Sequence, residues 1–322
     1  MKVDISVVLY RPRWDELKVA VSHLAKCSDE IATVHFLLSG SQAECDQLRA
    51  MMFEFGSPLS YAIQHRFDNL GFAGGHNFLM SKIFSKGAEN VLLFNPDLMI
   101  EPGALTEFIS SIGRHSDSAN GLYLYGPTLK SNLNPECQSV DSAGIFWTSS
   151  GRHLDLDQGC PWKRYENYRV VDGLTGACLL VPRDTFDYFV SVVGDFFDPA
   201  FVAFREDAEL GITARRLGIL SICVMQEGFV HNRGNPGTTR KNHLVNMLGV
   251  QNRFLIRWRL GSSRPGNRAI AGARDLVVVV ASLTVERSSL PGIRFAYAIR
   301  RWEKSVCRRI ENWRLPQFQD AT

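Results

Sequence analysis

Residues 91–100 read VLLFNPDLMI, two apolar segments on either side of a polar turn. The four apolar residues from Val91 to Phe94 predict a buried strand that ends at Asn95-Pro96-Asp97. A second apolar step follows at once, from Leu98 to Ile100. Ligands of open α/β sheets bind beyond the carboxyl ends of the strands. The pattern therefore indicates an α/β sheet in which Asp97 follows a strand on the ligand-binding side.

A second carboxylate motif, FREDAEL at residues 204–210, follows about a hundred residues later. It opens an amphipathic helix that ends near Gly218. Acidic residues are common in the first turn of a helix, so Glu206 and Asp207 alone are equally explained as helix-initiating residues. Taken with Asp97, they indicate a site that is built from the ends of several elements.

Apolar runs that predict strands alternate with stretches of helical periodicity along the first half of the chain. The predicted strands cover residues 4–9, 31–38, 59–66 and 90–94, and the predicted helices cover 14–27, 42–55 and 76–84. Further along, the pattern predicts a strand at 173–182, a helix at 206–217 and a strand at 219–225. Such alternation predicts an α/β fold with a mostly parallel central sheet flanked by helices.

The 322 residues are 45% apolar and 21% charged, a composition typical of soluble globular proteins. The net charge of +3 conceals an uneven distribution. Residues 240–322 carry 16 Lys and Arg against 5 Asp and Glu, whereas the rest of the chain carries 20 against 28. This basic segment favours an anionic partner, namely a membrane surface, a nucleic acid or an acidic protein. A solvated helical surface explains it equally well.

Cysteine usage and hydropathy bear on the compartment. The seven cysteines include no CxxC pair, so the sequence predicts neither a zinc site nor a disulfide framework, and a reducing compartment fits best. Met1 leads directly into a strand pattern instead of a secretory signal. The longest apolar run, Leu276 to Leu283, is far below the ~20 residues that span a bilayer. We therefore expect a cytoplasmic protein that is not integral to the membrane.

Several motifs stand in a characteristic order. They are Ile5–Tyr10, NLGFAGGHN at 69–77, LFNPD at 93–97, GLTGACLLVP at 173–182, Phe197-Asp198, Glu206-Asp207 and His231. No single motif is specific, but their order and spacing resemble the family-two inverting glycosyltransferases with a GT-A fold, most closely the bacterial rhamnosyltransferase-like members. The resemblance spans roughly residues 3–240. It implies a GT-A domain over 1–240 followed by a basic helical region over 241–322.

The resemblance implies a divalent metal, Mg²⁺ or Mn²⁺, which would neutralise the diphosphate leaving group of a nucleotide sugar. Asp97 matches the last acid of the family's short DxD-like metal motif, and His231 matches the histidine that completes the metal or diphosphate site. Asn95 replaces the first acid and can coordinate only through a neutral carbonyl oxygen. A turn with a helix cap at 95–97 and a structural role for His231 are the alternatives.

An inverting transfer also needs a base that takes the proton from the acceptor hydroxyl. The resemblance implies that Asp207 is this base and that Glu206 orients groups or binds the acceptor. A place in the first turn of a helix favours the ionised carboxylate that a base requires.

We expect a nucleotide-sugar donor, a dTDP- or UDP-sugar, to be bound by Tyr10, Asp68, Asn69, Gly74, Asn77, Asn95 and Arg233. The glycine-rich stretch at 71–75 does not fit GxGxxG, but it would allow close approach of a phosphate or sugar to a helix N-terminus. Ser39-Gly40-Ser41 stands where the family usually has an acidic signature for the base or ribose. The identity of the nucleotide base therefore stays open.

The resemblance further implies transfer of a sugar, such as rhamnose or another hexose, to a bacterial surface polysaccharide such as O-antigen or to its lipid-linked precursor. The basic region 241–322 would then contact the cytoplasmic face of the inner membrane peripherally.

A catalytically inactive glycan-binding or scaffold protein of polysaccharide assembly is the non-enzymatic alternative. A sugar-nucleotide pyrophosphorylase is disfavoured because the residues after the first strand, Tyr10 to Arg13, contain no glycine. No nucleic-acid-binding motif is present, so we expect no nucleic acid partner.

Overall fold

The computed structural model describes residues 2–55, 58–118, 121–132, 139–162, 167–232, 243–260 and 265–307. Its strands are β1 (Val3–Tyr10), β2 (Ile31–Ser39), β3 (Tyr61–Arg66), β4 (Asn90–Phe94), β5 (Leu98–Ile100), β6 (Tyr123–Pro127), β7 (Leu129–Ser131), β8 (Ser139–Ser142), β9 (Ile145–Trp147), β10 (His153–Asp155), β11 (Tyr168–Val171), β12 (Cys178–Pro182), β13 (Leu220–Val224) and β14 (Phe229–His231). Its helices are α1 (Trp14–Ala25), α2 (Gln42–Glu54), α3 (Gly71–Ser85), α4 (Ala104–Ser118), α5 (Arg183–Val193), α6 (Glu206–Arg216), α7 (His243–Leu260), α8 (Pro265–Thr284) and α9 (Leu290–Cys307).

The central sheet has eight strands in the order β11-β13-β6-β12-β4-β1-β2-β3. The half formed by β4, β1, β2 and β3 is entirely parallel, as the alternating sequence pattern predicts. The other half is mixed, because β12 runs antiparallel to both of its neighbours and β11 runs antiparallel to β13. The sheet is therefore a mixed α/β sheet with a parallel half.

Apolar side chains cover both faces of this sheet. On one face Leu17 of α1, Leu48 of α2 and Leu105 of α4 pack in the same core as β1 and β2. On the other face the core includes Phe189 of α5 and Leu210 of α6. Because strands such as β4 and β12 are buried on both sides, they read as continuous apolar runs in the sequence. These two cores fix the strand ends from which the cleft is built.

A second sheet, in the order β5-β14-β7-β8, lies beyond the carboxyl end of β4. The chain leaves β4, passes through Asn95 to Asp97 and enters β5, which pairs antiparallel with β14. His231 is the last residue of β14, and Asp141 lies on β8. This small sheet therefore brings together side chains from three distant segments of the sequence.

Residues 39–41, where the resemblance implies a nucleotide signature, join the end of β2 to the N-cap of α2. Ser41 Oγ accepts a hydrogen bond from the Glu44 backbone N–H at 3.3 Å, and Glu44 Oε2 accepts one from the Ser41 N–H at 2.8 Å. This reciprocal capping box satisfies two backbone donors at the start of α2.

The described part of the basic C-terminal region is helical and packs against the rest of the chain. Apolar residues of α7, such as Phe254 and Leu255, share a core with Phe201 and with Ile212 of α6. Helix α9 packs along α7, and Gly292 lies so close to the Met247 carbonyl that a Cβ there would approach to 2.1 Å. Among the described helices, none is both long and apolar enough to cross a membrane.

Candidate active site

A cavity of about 510 Å³ opens where Asn95 follows β4. Residues from seven separate segments line it, including four of the site residues that the sequence predicts. These four are Asn95, Glu206, Asp207 and His231. Its other polar lining residues include His153, Asp155, Thr175 and Arg205. The cavity is thus a polar cleft beside the carboxyl end of a parallel strand.

Of the cavity-lining residues, His231 lies between two carboxylates that are not in the lining, Asp97 and Asp141, and we call these three residues the acidic wall. His231 is buried, and its Nδ1 lies 2.8 Å from Asp141 Oδ2. Its Nε2 lies 3.3 Å from Asp97 Oδ1. That oxygen is buried and, within the described ranges, makes no hydrogen bond of good geometry. The histidine ring therefore lies between two carboxylates.

The acidic wall holds the imidazole in its charged form. Burial alone would lower the pKa of His231, but the hydrogen bond with Asp141 and the negative charges of Asp97 and Asp141 outweigh burial and raise the pKa to about 9. The charged ring compensates only one of the two carboxylates. Among the described residues, two carboxylates thus face one charged ring, an arrangement that suits a bound cation.

Glu206 and Asp207 open α6 at the edge of the same cavity. The Asp207 carboxylate accepts a hydrogen bond from the Gly176 N–H at 3.3 Å and another from the Ala208 N–H at 2.7 Å. Glu206 is buried, and burial together with the charge of Asp207 raises the pKa of Glu206 to about 8. Two adjacent carboxyl groups thus differ in environment, which favours one proton on Glu206 and negative charge on Asp207 at neutral pH.

The turn before these acids is strained. Phe204 and Arg205 have φ of 70° and 68°, in the left-handed region that side chains other than glycine rarely adopt. The fully buried Asn252 of α7 holds the turn, because its Nδ2 donates to the carbonyls of Ala203 at 2.8 Å and Phe204 at 2.6 Å. Helix α7 therefore fixes the direction in which Glu206 and Asp207 enter the cleft.

Further contacts tie the start of α6 to α7. The guanidinium of Arg259 pairs with Asp198 and, at 3.2 Å, with Glu209 Oε1. Val245 and Gly249 of the same helix line the cavity. Residues from both sides of position 240 thus form this cleft.

The remaining donor-binding candidates lie away from the cavity lining. Asp68 forms a bidentate pair with Arg66, and Asn69 Oδ1 accepts the Gly71 N–H at 2.9 Å. The Asn77 side chain exchanges two hydrogen bonds with the Phe197 backbone. Tyr10, at the end of β1, is 47% exposed with the Arg11 guanidinium over its ring. Arg233 lies outside the described residues.

The glycines of α3 approach other parts of the chain closely. Gly71 has φ of +70°, and a Cβ there would lie 2.1 Å from the Val202 carbonyl oxygen. A Cβ on Gly75 would lie 2.8 Å from Val8 of β1. At Gly74 the nearest atom would be Leu70 Cβ, at 3.3 Å. Packing of α3 against β1 and the 202 loop accounts for the first two of these glycines.

Three residues of the region were not expected from the sequence. Asp141 is a lone acid in a Ser- and Val-containing strand, within a segment that reads as irregular. Asn252 follows Gln251 on the buried side of α7, so a polar residue in an apolar stripe was the available signal. Arg205 precedes the acids of α6 and lines the cavity, but nothing local distinguishes it from a surface arginine.

The acidic wall fits a divalent metal of the kind that the resemblance implies. Asp97 Oδ1 and His231 Nε2 are adjacent donors, and Asp141 binds the other ring nitrogen, as carboxylates do for metal-bound histidines. No group of three or more His, Cys, Asp or Glu in the described chain is arranged to hold a metal by itself. Mg²⁺ often takes one or two protein ligands and completes its coordination with substrate phosphates. The two donors suit that arrangement.

Comparison with known proteins bears on the fold. No protein-family model matches the chain, and no curated protein matches its sequence. Among solved structures, GalNAc-T7 with UDP, GalNAc and Mn²⁺ superposes with a TM-score of 0.61 at 10% identity. The match covers 80% of this chain and 47% of the other, so the chain spans about half the length of GalNAc-T7. The chain has a GT-A fold.

Two further structures agree with this assignment. S. aureus TarS, residues 1–349, gives a TM-score of 0.53 at 14% identity and covers 92% of this chain and 79% of its own. The mannosyltransferase PcManGT from Pyrobaculum calidifontis, in complex with GDP-Man and Mn²⁺, gives 0.52 at 13% identity, with coverage of 92% and 74%. The expected GT-A fold is therefore confirmed, while the low identities carry no information on the sugar or the acceptor.

Proposed function

We propose that the chain is an inverting glycosyltransferase that moves a sugar from a nucleoside diphosphate to an acceptor hydroxyl. One observation carries the proposal. Asp207 and His231 line a single cavity with Asn95, which lies more than a hundred residues earlier in the sequence than either, and His231 contacts Asp97. A carboxylate suited to accept a proton thus shares a cleft with a negatively charged wall suited to a metal and diphosphate.

In the proposed reaction Asp207 takes the proton from the acceptor hydroxyl as its oxygen attacks the anomeric carbon. The bond to the diphosphate breaks on the opposite face of the sugar, so the configuration inverts. The hydrogen bonds from the Gly176 and Ala208 N–H groups orient the carboxylate for this step. Glu206, with its raised pKa, retains its proton at neutral pH and is able to donate a hydrogen bond in the cleft.

Asp97 and His231 would hold a divalent cation, Mg²⁺ or Mn²⁺, and Asp141 would orient the imidazole. When bound, that ion would neutralise the negative charge of the leaving diphosphate. Metal binding requires the neutral imidazole, so the cation takes the place of the proton that the two carboxylates stabilise.

Donor contacts are proposed at Asn95, which lines the cavity, and at Tyr10, where β1 ends. Asp68, Asn69, Gly74, Asn77 and Arg233 stay in the proposal only as outer contacts, because the first four already bond or pack within the chain. A dTDP- or UDP-sugar such as a rhamnosyl donor, and a bacterial polysaccharide or lipid-linked acceptor, complete the proposal. Both rest on the sequence resemblance.

We also propose that α8 contacts the anionic cytoplasmic leaflet of the inner membrane. Leu276, Val277, Val280 and Leu283 form an apolar stripe, each at least 50% exposed. Residues 265–301 contain six arginines against two acids, so a contact between two copies of this segment would bring like net charges together. An anionic lipid surface suits both the stripe and the charge.

The membrane contact is tested by sedimentation with vesicles that contain phosphatidylglycerol. We expect the double substitution Val277→Asp and Val280→Asp to abolish sedimentation at low salt. Phe53→Asp is the control, because Phe53 is 83% exposed on α2, outside this face. Equal sedimentation of the wild-type and double-variant proteins would contradict the proposal.

The enzymatic proposal is tested by release of nucleoside diphosphate from a panel of nucleotide sugars, with and without Mn²⁺ or Mg²⁺. Asp207→Asn should lower turnover by about 10²–10⁴-fold, the usual contribution of a general base, while donor binding is retained. Asp97→Ala should weaken both turnover and donor binding. Asp184→Asn, an exposed acid in the first turn of α5, is the control. Wild-type turnover in Asp207→Asn would exclude this base, and absence of turnover with every donor would favour the non-enzymatic glycan-binding alternative.

A further inference from the structure

A second wall of the region around the cleft is rich in arginine. Arg205 lines the cavity, and within the described residues its guanidinium has no ion pair or hydrogen bond. Arg152, Arg253 and Arg274 are close enough to repel it electrostatically. Burial, and then these neighbouring charges, lower the pKa of Arg205 to about 10. We call these four residues the arginine wall.

The described acidic side chains compensate the arginine wall incompletely. Asp275 of α8 pairs with Arg253 at 3.3 Å and also with Arg257 at 3.4 Å. Arg274 donates only to the Ser150 hydroxyl, at 3.4 Å, among the contacts of the described chain. The Nε atoms of Arg253 and Arg257 are buried without a hydrogen-bond acceptor in the same described ranges. Both positive charge and hydrogen-bond donors are therefore in excess.

Nearby His153 adds no further positive charge. It lines the cavity on β10, and burial together with the charges of Arg205, Arg152 and Arg274 lowers its pKa to about 4. The neutral ring is able to donate one hydrogen bond to a bound group. Clustered cations in a partly buried site are costly unless they are compensated, and the charges of Asp207 beside Arg205 and Asp275 beside Arg274 compensate this wall only in part, so it is suited to a further anion.

We propose that the arginine wall binds a phosphate or diphosphate group of the acceptor. This inference rests on the proposed function, because it divides the cleft into a donor side and an acceptor side. The arginine wall comes from the β9–β10 hairpin, the turn before α6, and helices α7 and α8. The proposed donor side comes from β1, β4, β5 and β14. The two sides share no element, so the donor diphosphate need not occupy both.

The position of Arg205 next to the base supports this assignment. Arg205 is the N-cap residue of α6, and Asp207 lies in the first turn of that helix. An acceptor whose phosphate contacts Arg205 would present its adjacent sugar near Asp207. The planar guanidinium fork matches phosphate oxygens in a bidentate geometry, which makes phosphate the best-fitting anion. A lipid-linked sugar diphosphate and a free sugar phosphate both carry this chemistry.

The test measures anion binding to the full chain with the donor side filled. The protein is saturated with Mn²⁺ and with UDP or dTDP, whichever nucleotide it binds in the turnover panel. It is then titrated calorimetrically with geranyl diphosphate, glucose 1-phosphate and inorganic pyrophosphate. We expect saturable binding of at least one of these in the presence of nucleotide. Tighter binding of geranyl diphosphate would assign a lipid-linked source, and tighter binding of glucose 1-phosphate would assign a free sugar phosphate.

Arg152→Gln and Arg274→Gln should each weaken this binding about tenfold or more, because each removes one charge-assisted contact. Arg294→Gln, at an exposed position of α9, is the charge-matched control and should leave binding unchanged. Arg152 is itself exposed, so its substitution leaves the core intact if Arg274→Gln impairs folding.

Two results would overturn the proposal. One is that the phosphate compounds bind only nucleotide-free protein and are displaced by UDP or dTDP, which would place them in the donor site. The other is that binding in the presence of nucleotide is equal in the arginine variants and the control. Failure of the proposed function is a separate result, namely no cleavage and no binding of any nucleotide sugar, and the same titrations can then be made on nucleotide-free protein.

Discussion

The acidic wall and the arginine wall handle charge in opposite ways. On the acidic wall two carboxylates enclose one imidazole, and hydrogen bonds join Asp141 to the ring at 2.8 Å. On the arginine wall, Asp275 is the acid that pairs with Arg253, and Arg205 has no described ion-pair partner. Among the described residues, the acidic wall therefore carries excess negative charge and the arginine wall carries excess positive charge. Asp207 lies in the cleft with residues of both.

The contrast between the two walls is informative because burial penalises excess negative charge and excess positive charge alike. A protein that needed these residues only for stability would gain from neutralising each wall internally. A reaction that brings a metal cation and a phosphorylated acceptor into one cleft requires the opposite, since each excess is compensated only when its ligand arrives. The following predictions test whether the two walls act separately.

Among the residues of the two walls, the largest effect is expected at Asp97. Asp97→Asn keeps the shape of the side chain but removes one negative charge beside His231. Loss of charge stabilisation worth several kcal/mol corresponds to a fall in turnover of about 10²–10³-fold at saturating donor and Mn²⁺. The fall in turnover is measured as the steady-state rate of nucleoside diphosphate release.

The matched control is Asp15→Asn, because Asp15 is an exposed acid of α1 in a surface groove that Asp97 also lines. An equal fall in both variants would show that only the general electrostatic field matters. An Asp97 variant that still binds the phosphate probes normally would support separate walls.

A smaller effect is expected at Asp141, which acts through His231. Asp141→Asn should weaken the affinity for Mn²⁺ by about 10–100-fold, as is typical when the partner of a metal-bound histidine is removed. Turnover at saturating Mn²⁺ should be largely restored, which separates a positioning role from a catalytic one. A metal titration of turnover is the measurement. Loss of turnover that added metal does not restore would contradict this role.

The next effect is expected at Asn252, which links the C-terminal helices to the cleft. Asn252→Ala leaves the carbonyls of Ala203 and Phe204 without these hydrogen bonds, at a cost of about 1–3 kcal/mol in the free energy of unfolding. Relaxation of the strained turn should also lower turnover, since Asp207 follows it. Denaturant unfolding and turnover are measured together. Asn246→Ala, whose amide bonds Ser288 on the same helix, should affect turnover much less.

Much of the fold follows from local sequence patterns. The buried run Val91–Phe94 and the alternating strands and helices before it correctly predict the parallel half of the sheet, because burial on both faces leaves a continuous apolar signal. Strand direction leaves no such signal. The run at 173–182 predicts a strand, and β12 is found at Cys178–Pro182, but its antiparallel insertion between β4 and β6 depends on tertiary pairing.

The residues of the candidate site could likewise be predicted from the sequence only in part. The order of motifs led to Asp97, Asp207 and His231 because each follows or opens a regular element. Asp141 and Asn252 act through contacts that span 90 and about 49 residues of sequence, so no local pattern reveals them. Asp68 and Asn77 were predicted to contact a ligand, but Asp68 pairs with the Arg66 side chain and Asn77 bonds the Phe197 backbone, two contacts that no local pattern distinguishes from ligand binding.

The last effect expected is on stability alone, a pH dependence that originates at Glu206 in the cleft. Its pKa rises from an ordinary 4.5 to about 8 because the buried carboxyl lies next to Asp207. The folded state therefore holds a proton that the unfolded state releases above its own pKa. This stabilisation is fully present below about pH 4.5 and is lost as the pH rises towards about 8. Glu206→Gln, which stays neutral, should remove this contribution. The melting temperature of the wild-type protein relative to Glu206→Gln should then fall between pH 5 and 8, and parallel curves for the two proteins would show that Glu206 does not hold this proton.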